Sequence, residues 1–138
     1  INQFFDVACK LKSDFWLTSA QLEFFKNHGV FLEEFRKTAK IYAPAHDLEQ
    51  AKISATIADV LVASHIFATS CKAGLEPKGL NFISELKSFD KEIYALGGLD
   101  SGNYKETIKA GANGVCFMSL AMNGDIELIK KIVESKNG

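Results

Sequence analysis

Val60-Leu61-Val62-Ala63-Ser64-His65-Ile66-Phe67-Ala68-Thr69-Ser70-Cys71-Lys72-Ala73-Gly74 is the stretch on which the reading of this chain turns. Its first four residues form a short apolar, β-rich run of the kind shown by a parallel strand covered on both faces. The run then delivers a histidine and breaks into a polar loop that ends on glycine. His65 therefore sits near the carboxyl end of a strand. In barrels and open sheets of alternating strands and helices, that end carries the reactive groups, because the strands fix the roots of loops that are free to vary.

Working outward, the same alternation repeats. Downstream, Leu80 to Leu86 reads as a helix, Glu92 to Leu96 as a strand ending in Gly97-Gly98, and Ser101 or Asn103 leads into a helix that ends at Gly111. Val115-Cys116-Phe117-Met118 is the last strand, and Asp125 starts a carboxyl-terminal helix that buries Ile126, Leu128, Ile129, Ile132 and Val133. Upstream, Asp47 caps a helix from Leu48 to about Ile53, after a strand at Lys40-Ile41-Tyr42-Ala43. Val30-Phe31-Leu32 reads as a strand before a helical turn at Glu33 to Thr38. Before that, Thr18 or Ser19 caps a helix to about Asn27 that Gly29 ends, Phe15-Trp16-Leu17 is a strand, and Asn2 to Lys12 is an amphipathic helix. About six strands, each followed by a helix, imply a parallel α/β sheet or barrel. A closed barrel takes eight such units, so either the sheet is open or two strands belong to an absent amino-terminal part. The start at Ile1 fits processing, a fragment or an absent leading segment equally.

The 138 residues suit a single domain, 1–138, with a core of ordinary size. The composition, 47% hydrophobic and 24% charged, is that of a globular protein, and a net charge of -1 gives no field to hold a polyanion. Nucleic acid is not expected as a partner, nor is a membrane, since no apolar run approaches the length of a span. Cys9, Cys71 and Cys116 are odd in number and without CxxC spacing, so a reducing cytoplasm fits better than a disulfide framework or zinc site. Cys9 and Cys116 read as small core residues, whereas Cys71 lies in the polar loop. Phe4-Phe5 and Phe24-Phe25 are adjacent pairs that cannot both face inward. They read as core aromatics, with a homo-oligomeric partner as the alternative cover.

Two signals close the chain: Ala95-Leu96-Gly97-Gly98 after one strand and Phe117-Met118-Ser119 after the next. Backbone amides after the last two strands of a barrel commonly bind phosphate, so the pair suggests a small phosphorylated substrate; a bare Gly-Gly alone is as well explained by a tight turn.

Taken in order, His65-Ile66-Phe67-Ala68-Thr69-Ser70-Cys71-Lys72-Ala73-Gly74, the glycine of Pro77-Lys78-Gly79-Leu80, Ala95-Leu96-Gly97-Gly98 and Gly111-Ala112-Asn113-Gly114-Val115-Cys116-Phe117-Met118-Ser119 resemble the carboxyl-terminal motifs of the thiamine phosphate synthase and TenI superfamily of TIM (β/α)8 barrels. The likeness is strongest over Ala58 to Met122. It makes Phe15-Trp16-Leu17 the third strand of the barrel, with the first two absent.

The resemblance implies two chemistries. The synthase, a transferase, couples a pyrimidine pyrophosphate to thiazole phosphate with Mg2+, using an Asn-Asp pair after the third strand and His-Leu-Gly-Gln after the fourth. Here those places read Leu17-Thr18-Ser19 and Phe31-Leu32-Glu33-Glu34. Glu33 or Glu34 is the one substitute carboxylate on offer, although a charged pair opening a helix more often faces solvent. The loop instead is similar to the TenI-type tautomerase pattern Gly-His-Val-Phe-Glu-Thr-x-Cys-Lys, with Ser64 in place of its glycine and Pro44 where relatives often have serine. The implied activity is a tautomerase, an isomerase of thiamine biosynthesis that aromatises a thiazole carboxylate phosphate. On that reading His65 is the acid/base, Thr69, Cys71 and Lys72 shape the loop around substrate, and Gly97, Gly98, Met118 and Ser119 hold phosphate. It needs no cofactor, and a metal enters only with the synthase. A third reading is a thiazole-phosphate-binding regulator without turnover. His46 reads as a supporting or capping group, and His28 as part of a helix-ending turn.

Overall fold

The computed structural model describes residues 1, 3–28, 30–124 and 126–136. In chain order the elements are α1 (Phe5–Leu11), β1 (Phe15–Trp16), α2 (Ser19–Lys26), α3 (Val30–Phe35), β2 (Ile41–Ala45), α4 (Leu48–Ile57) and β3 (Val60–Ser64). They continue with α5 (Gly79–Leu86), β4 (Glu92–Leu96), α6 (Tyr104–Lys109), β5 (Gly114–Cys116), α7 (Ser119–Met122) and α8 (Ile126–Lys136). The two helix boundaries expected at Gly29 and Asp125 lie outside the described residues.

The five strands among the described residues are all parallel and lie in the order β1-β2-β3-β4-β5. Each strand is added on the same side of the last, and right-handed crossovers then put all the connecting helices on one face. That is the winding of a barrel, not of a doubly wound sheet, which reverses direction to cover both faces. The α/β, TIM-like architecture expected from the sequence is therefore present as a run of five strands.

One expected strand is a helix. Val30-Phe31-Leu32 opens α3, and β1 pairs directly with β2 through Phe15↔Ile41 and Trp16↔Tyr42, leaving no place in the sheet between them. Leu32 and Phe35, three residues apart, are both buried, so the helical period of the longer segment outweighs the β-branched start. The backward count of strands thus has one step fewer than the sequence suggests. Helix α4 also runs a turn past Ile53, because Ser54 is buried and its hydroxyl donates to the Pro44 carbonyl at 2.6 Å. In α8, Leu128, Ile129 and Ile132 are half-buried, but Ile126 and Val133 are exposed, so the expected apolar face is only partly covered.

Caps fix where the helices begin. Thr18 and Gln21 form a capping box on α2, each side chain accepting from the other's backbone N–H. Asp47 Oδ1 accepts from the Gln50 N–H at 2.7 Å at the start of α4.

The helix-side core divides in two. Around β1 it is aromatic: Phe5 packs within 5.2 Å of Phe15, Phe25 and Phe35. One member of each phenylalanine pair faces in, while Phe4 and Phe24 are exposed. Around β3 and β4 the core is finer-grained, with Ala45, Ala63 and Ala95 between Leu61, Ile83, Leu86 and Ile93. Cys9, expected inside, is exposed: α1 buries only Ala8. On the other face of the sheet, Trp16 stacks on Tyr42, and Tyr42 meets Tyr94 edge-on at 5.6 Å.

Candidate active site

The carboxyl ends of β3, β4 and β5 converge. Past the end of β3 the ladder to β4 continues, with the Ile66 N–H donating to the Leu96 carbonyl at 3.0 Å and the Phe67 N–H to the Gly97 carbonyl at 3.1 Å. These bonds press the His65–Ala68 segment onto the turn after β4. A Cβ added to Gly97 would lie 2.4 Å from the His65 Cβ, and one on Gly98 would lie 2.5 Å from the Ala68 carbonyl oxygen. Both glycines have positive φ, +96° and +66°. Close packing of two loops thus accounts for this Gly-Gly. The Gly98 carbonyl is in turn held by the Asn103 side-chain amide at 2.9 Å.

The convergence encloses a cavity of about 190 Å³ lined by Ser64, His65, Thr69, Cys71, Lys72, Gly97, Gly98, Met118 and Ser119, together with Leu96, Leu99 and Cys116. All eight residues singled out from the sequence are brought to this one cavity. Its size suits a small ring and not a nucleotide.

His65 is buried, at 4% exposure. Its Nε2 is 3.3 Å from the Leu75 carbonyl oxygen. A carbonyl only accepts, so this contact places the proton on Nε2 and leaves Nδ1 with the lone pair in the neutral ring. Thr69 heads the 3-10 turn Ser70–Lys72 without spending its hydroxyl on a cap. Lys72 is half-buried and has no carboxylate partner among the described ion pairs. Cys71 is exposed. Cys116, expected in the core, is half-buried against the cavity, and burial pushes its thiol up to about 11, so it is neutral at pH 7. Ser119 opens α7 and is exposed, as is Met118.

Ser64, marked in the sequence as a departure from the family's glycine that bears on the pocket's shape, and Cys116, read as a core residue, both line the cavity. The alternation of β3 and β5 was the available signal: the register pairs Ser64 with Leu96 and Leu96 with Cys116, which puts all three on one face. The sequence left open what His46 touches. His46 Nδ1 lies 2.8 Å from the Ser64 hydroxyl. His28 is remote, its Nδ1–H donating to the Phe24 carbonyl at 2.8 Å at the end of α2.

Among the described residues the cavity has no carboxylate in its lining, and no group of three or more His, Cys, Asp or Glu could hold a metal ion. Magnesium takes carboxylate and water oxygens, and the groups present do not fit it. Glu34 is engaged on the surface with Lys37 at 2.5 Å. A larger depression of about 690 Å³ lies at the opposite, amino-terminal end of the strands, but two of its three cations are already paired, Arg36 with Asp59 at 2.6 Å and Lys40 with Glu92 at 2.5 Å, Lys91 being the third. No helix among the described residues is long and apolar enough to cross a membrane.

The family model described as thiamine monophosphate synthase matches residues 30–121. The chain is 29% identical over 106 residues to a thiamine-phosphate synthase of Pyrococcus furiosus, covering 72% of this chain and 50% of that protein. It is 33% identical over 75 residues to the thiamine-phosphate synthase of a Synechocystis strain, covering 54% of this chain and 22% of that one. The chain thus spans half or less of the length of these curated relatives. Among solved structures, a thiamine phosphate pyrophosphorylase from Pyrococcus furiosus superimposes with a TM-score of 0.60 at 19% identity, over 99% of this chain and 91% of that one, a likeness of fold. The family match covers the strands β2 to β5 and every residue that lines the cavity, and on it the chain belongs to the thiamine monophosphate synthase family.

Proposed function

We propose that the cavity at the ends of β3, β4 and β5 is a thiazole-phosphate site of thiamine biosynthesis, and that the protein carrying this chain is a transferase that couples thiazole phosphate to a pyrimidine pyrophosphate. The observation that carries the site is the convergence of His65, Lys72, the Gly97-Gly98 turn and Ser119 on one small cavity. The relatives' names support the coupling reaction. In it the thiazole nitrogen forms a bond to the pyrimidine methylene carbon while the carbon–oxygen bond to pyrophosphate breaks. The chain's own part is to bind and orient the thiazole. Lys72 supplies a cation without a competing carboxylate, and the hydroxyls of Thr69 and Ser119 supply donors.

A second reading, the TenI-like tautomerase, is favoured by one specific observation: a buried imidazole stands in a cavity that has no carboxylate in its lining among the described residues. The Nδ1 lone pair of His65 would take the ring proton of a non-aromatic thiazole carboxylate phosphate and return it to the exocyclic carbon, with aromaticity as the driving force. Histidine suits that shuttle because both its forms are accessible near neutrality. A bound but unreactive thiazole phosphate, as in a regulator, is the outcome left if neither reaction occurs.

The deciding experiment gives purified protein both reactions, with His65→Asn beside the wild type. Coupling predicts thiamine phosphate from the two precursors with magnesium supplied, and a His65→Asn rate within roughly tenfold of wild type, since the imidazole is then not the proton carrier. The tautomerase predicts aromatisation that falls roughly 100-fold or more in His65→Asn while thiazole-phosphate affinity is kept. A protein that binds thiazole phosphate but accelerates neither reaction is the regulator. One that does not bind it refutes the site.

A further inference from the structure

We propose that the Ser64 hydroxyl is a hydrogen-bond donor to an anionic oxygen of the bound ligand, and that His46 is the positioning residue that leaves its proton free for that purpose. The inference rests on the thiazole-phosphate site proposed above. Ser64 is the last residue of β3, is 5% exposed and lines the cavity beside His65 and Lys72. The Nδ1 of His46 lies 2.8 Å from the Ser64 hydroxyl oxygen and 3.1 Å from the Ser64 carbonyl oxygen.

That double contact fixes the direction of the hydrogen bond. A carbonyl oxygen only accepts, so Nδ1 must carry a proton, which it shares between the two oxygens. The opposite tautomer would set an imidazole lone pair against a carbonyl lone pair at 3.1 Å. With Nδ1–H as donor, the Ser64 oxygen accepts and its own proton is left over. Among the described residues no acceptor for that proton is found, since the one recorded partner of the hydroxyl is His46.

His46 is held for this task. Its backbone N–H donates to the Gln50 side-chain oxygen at 3.0 Å, and the Gln50 N–H donates to Asp47 Oδ1 at 2.7 Å, tying the backbone that carries the imidazole to the first turn of α4. A buried hydroxyl with a spare proton, lining the same cavity as a lysine without a carboxylate partner among the described ion pairs, makes a donor pair suited to an oxyanion such as phosphate or a ring carboxylate.

The test measures the affinity of thiazole phosphate and of the uncharged thiazole alcohol for the wild type, Ser64→Ala, Ser64→Gly, His46→Ala and the double variant His46→Ala/Ser64→Ala, each first checked for cooperative unfolding. A donor to an anionic oxygen predicts a loss of roughly tenfold or more for thiazole phosphate in both Ser64 variants, and little change for the alcohol. His46→Ala should reproduce part of that loss, and the double variant should be no worse than Ser64→Ala alone, because the two residues act through one contact. Unchanged affinity in Ser64→Ala and Ser64→Gly, or equal losses for the charged and uncharged ligands, overturns the inference while leaving the site intact. Wild-type protein that fails to bind thiazole phosphate overturns the site itself, and this inference with it.

Discussion

The two hydrophobic clusters of this molecule solve the same problem with different side chains. Around β1, α2 and α3 the core is filled by the rings of Phe15, Phe25 and Phe35, with Phe5 laid across them. Around β3, β4 and α5 alanines alternate with aliphatics and one buried ring, Phe82, and at Gly97 and Gly98 the turn after β4 comes into direct contact with the backbone after β3. Rings hold helices apart at ring thickness; alanine and glycine let a strand end touch the neighbouring turn. The cavity lies over the second region, where the contact between His65 and Gly97 brings the ends of β3 and β4 close enough for their loops to share one small space. The aromatic region can therefore be weakened without moving the site, whereas the alanine and glycine region cannot be enlarged without destroying it.

The largest expected effect tests the first half of that statement. Phe15→Ala removes a fully buried ring that touches Phe5 and Phe35 and should cost about 3–5 kcal/mol in a denaturant melt. Ligand affinity of the fraction still folded should be unchanged; a parallel loss of affinity would join the two regions energetically.

Next in size is Gly97→Ala, which adds one methyl group at φ +96° into a 2.4 Å contact with the His65 Cβ. We expect about 3 kcal/mol of destabilisation together with loss of binding at the cavity. Gly74→Ala is its control: φ is +83° but nothing lies within 4 Å of the new carbon, so about 1–2 kcal/mol of backbone strain is expected, with the binding of ligand largely kept. Equal effects at the two glycines would remove the packing argument.

The smallest effect is in the pH dependence. Burial pushes the Cys116 thiol up to about 11 from 9.0, and burial, followed by Tyr94, pushes the Tyr42 hydroxyl up to about 12 from 10.0. Above pH 9 the unfolded chain loses these protons before the folded one does, so it binds fewer protons and stability falls as pH rises. The contribution is intact below pH 9 and is progressively lost toward 12. Cys116→Ser should move the onset of the fall up toward 10, where Tyr42 takes over, in melts recorded at stepped pH. An onset that stays at 9 would mean that Cys116 is not the group responsible.

Legibility from sequence followed the same divide between local and distant causes. The strand Glu92–Leu96 could be read to the residue because its short apolar run and its terminating glycines are local. The cavity residues could be read because they follow strand ends, and strand ends in this winding all meet at one side. Val30-Phe31-Leu32 misled because three apolar residues carry no period, and what decided for α3 was the direct pairing of Phe15 with Ile41 across the sheet. Cys9 misled because α1 is covered along one narrow line, at Ala8. The contact of His46 with Ser64 spans 18 residues and depends on two neighbouring strand ends, so nothing local announces it.

The central claim is that small phosphorylated thiazoles bind at the alanine and glycine end of the sheet and nowhere else. Titration of the isotope-labelled protein with thiazole phosphate, followed through the imidazole and backbone amide resonances, tests it most directly. The account predicts saturable shifts at the His65 imidazole and the Gly98 and Ser119 amides, weakened by Lys72→Met, with the His28 imidazole and the amides of Phe15 and Phe25 unmoved. Saturable shifts confined to the aromatic region, or no shift at His65 up to saturation, would contradict it.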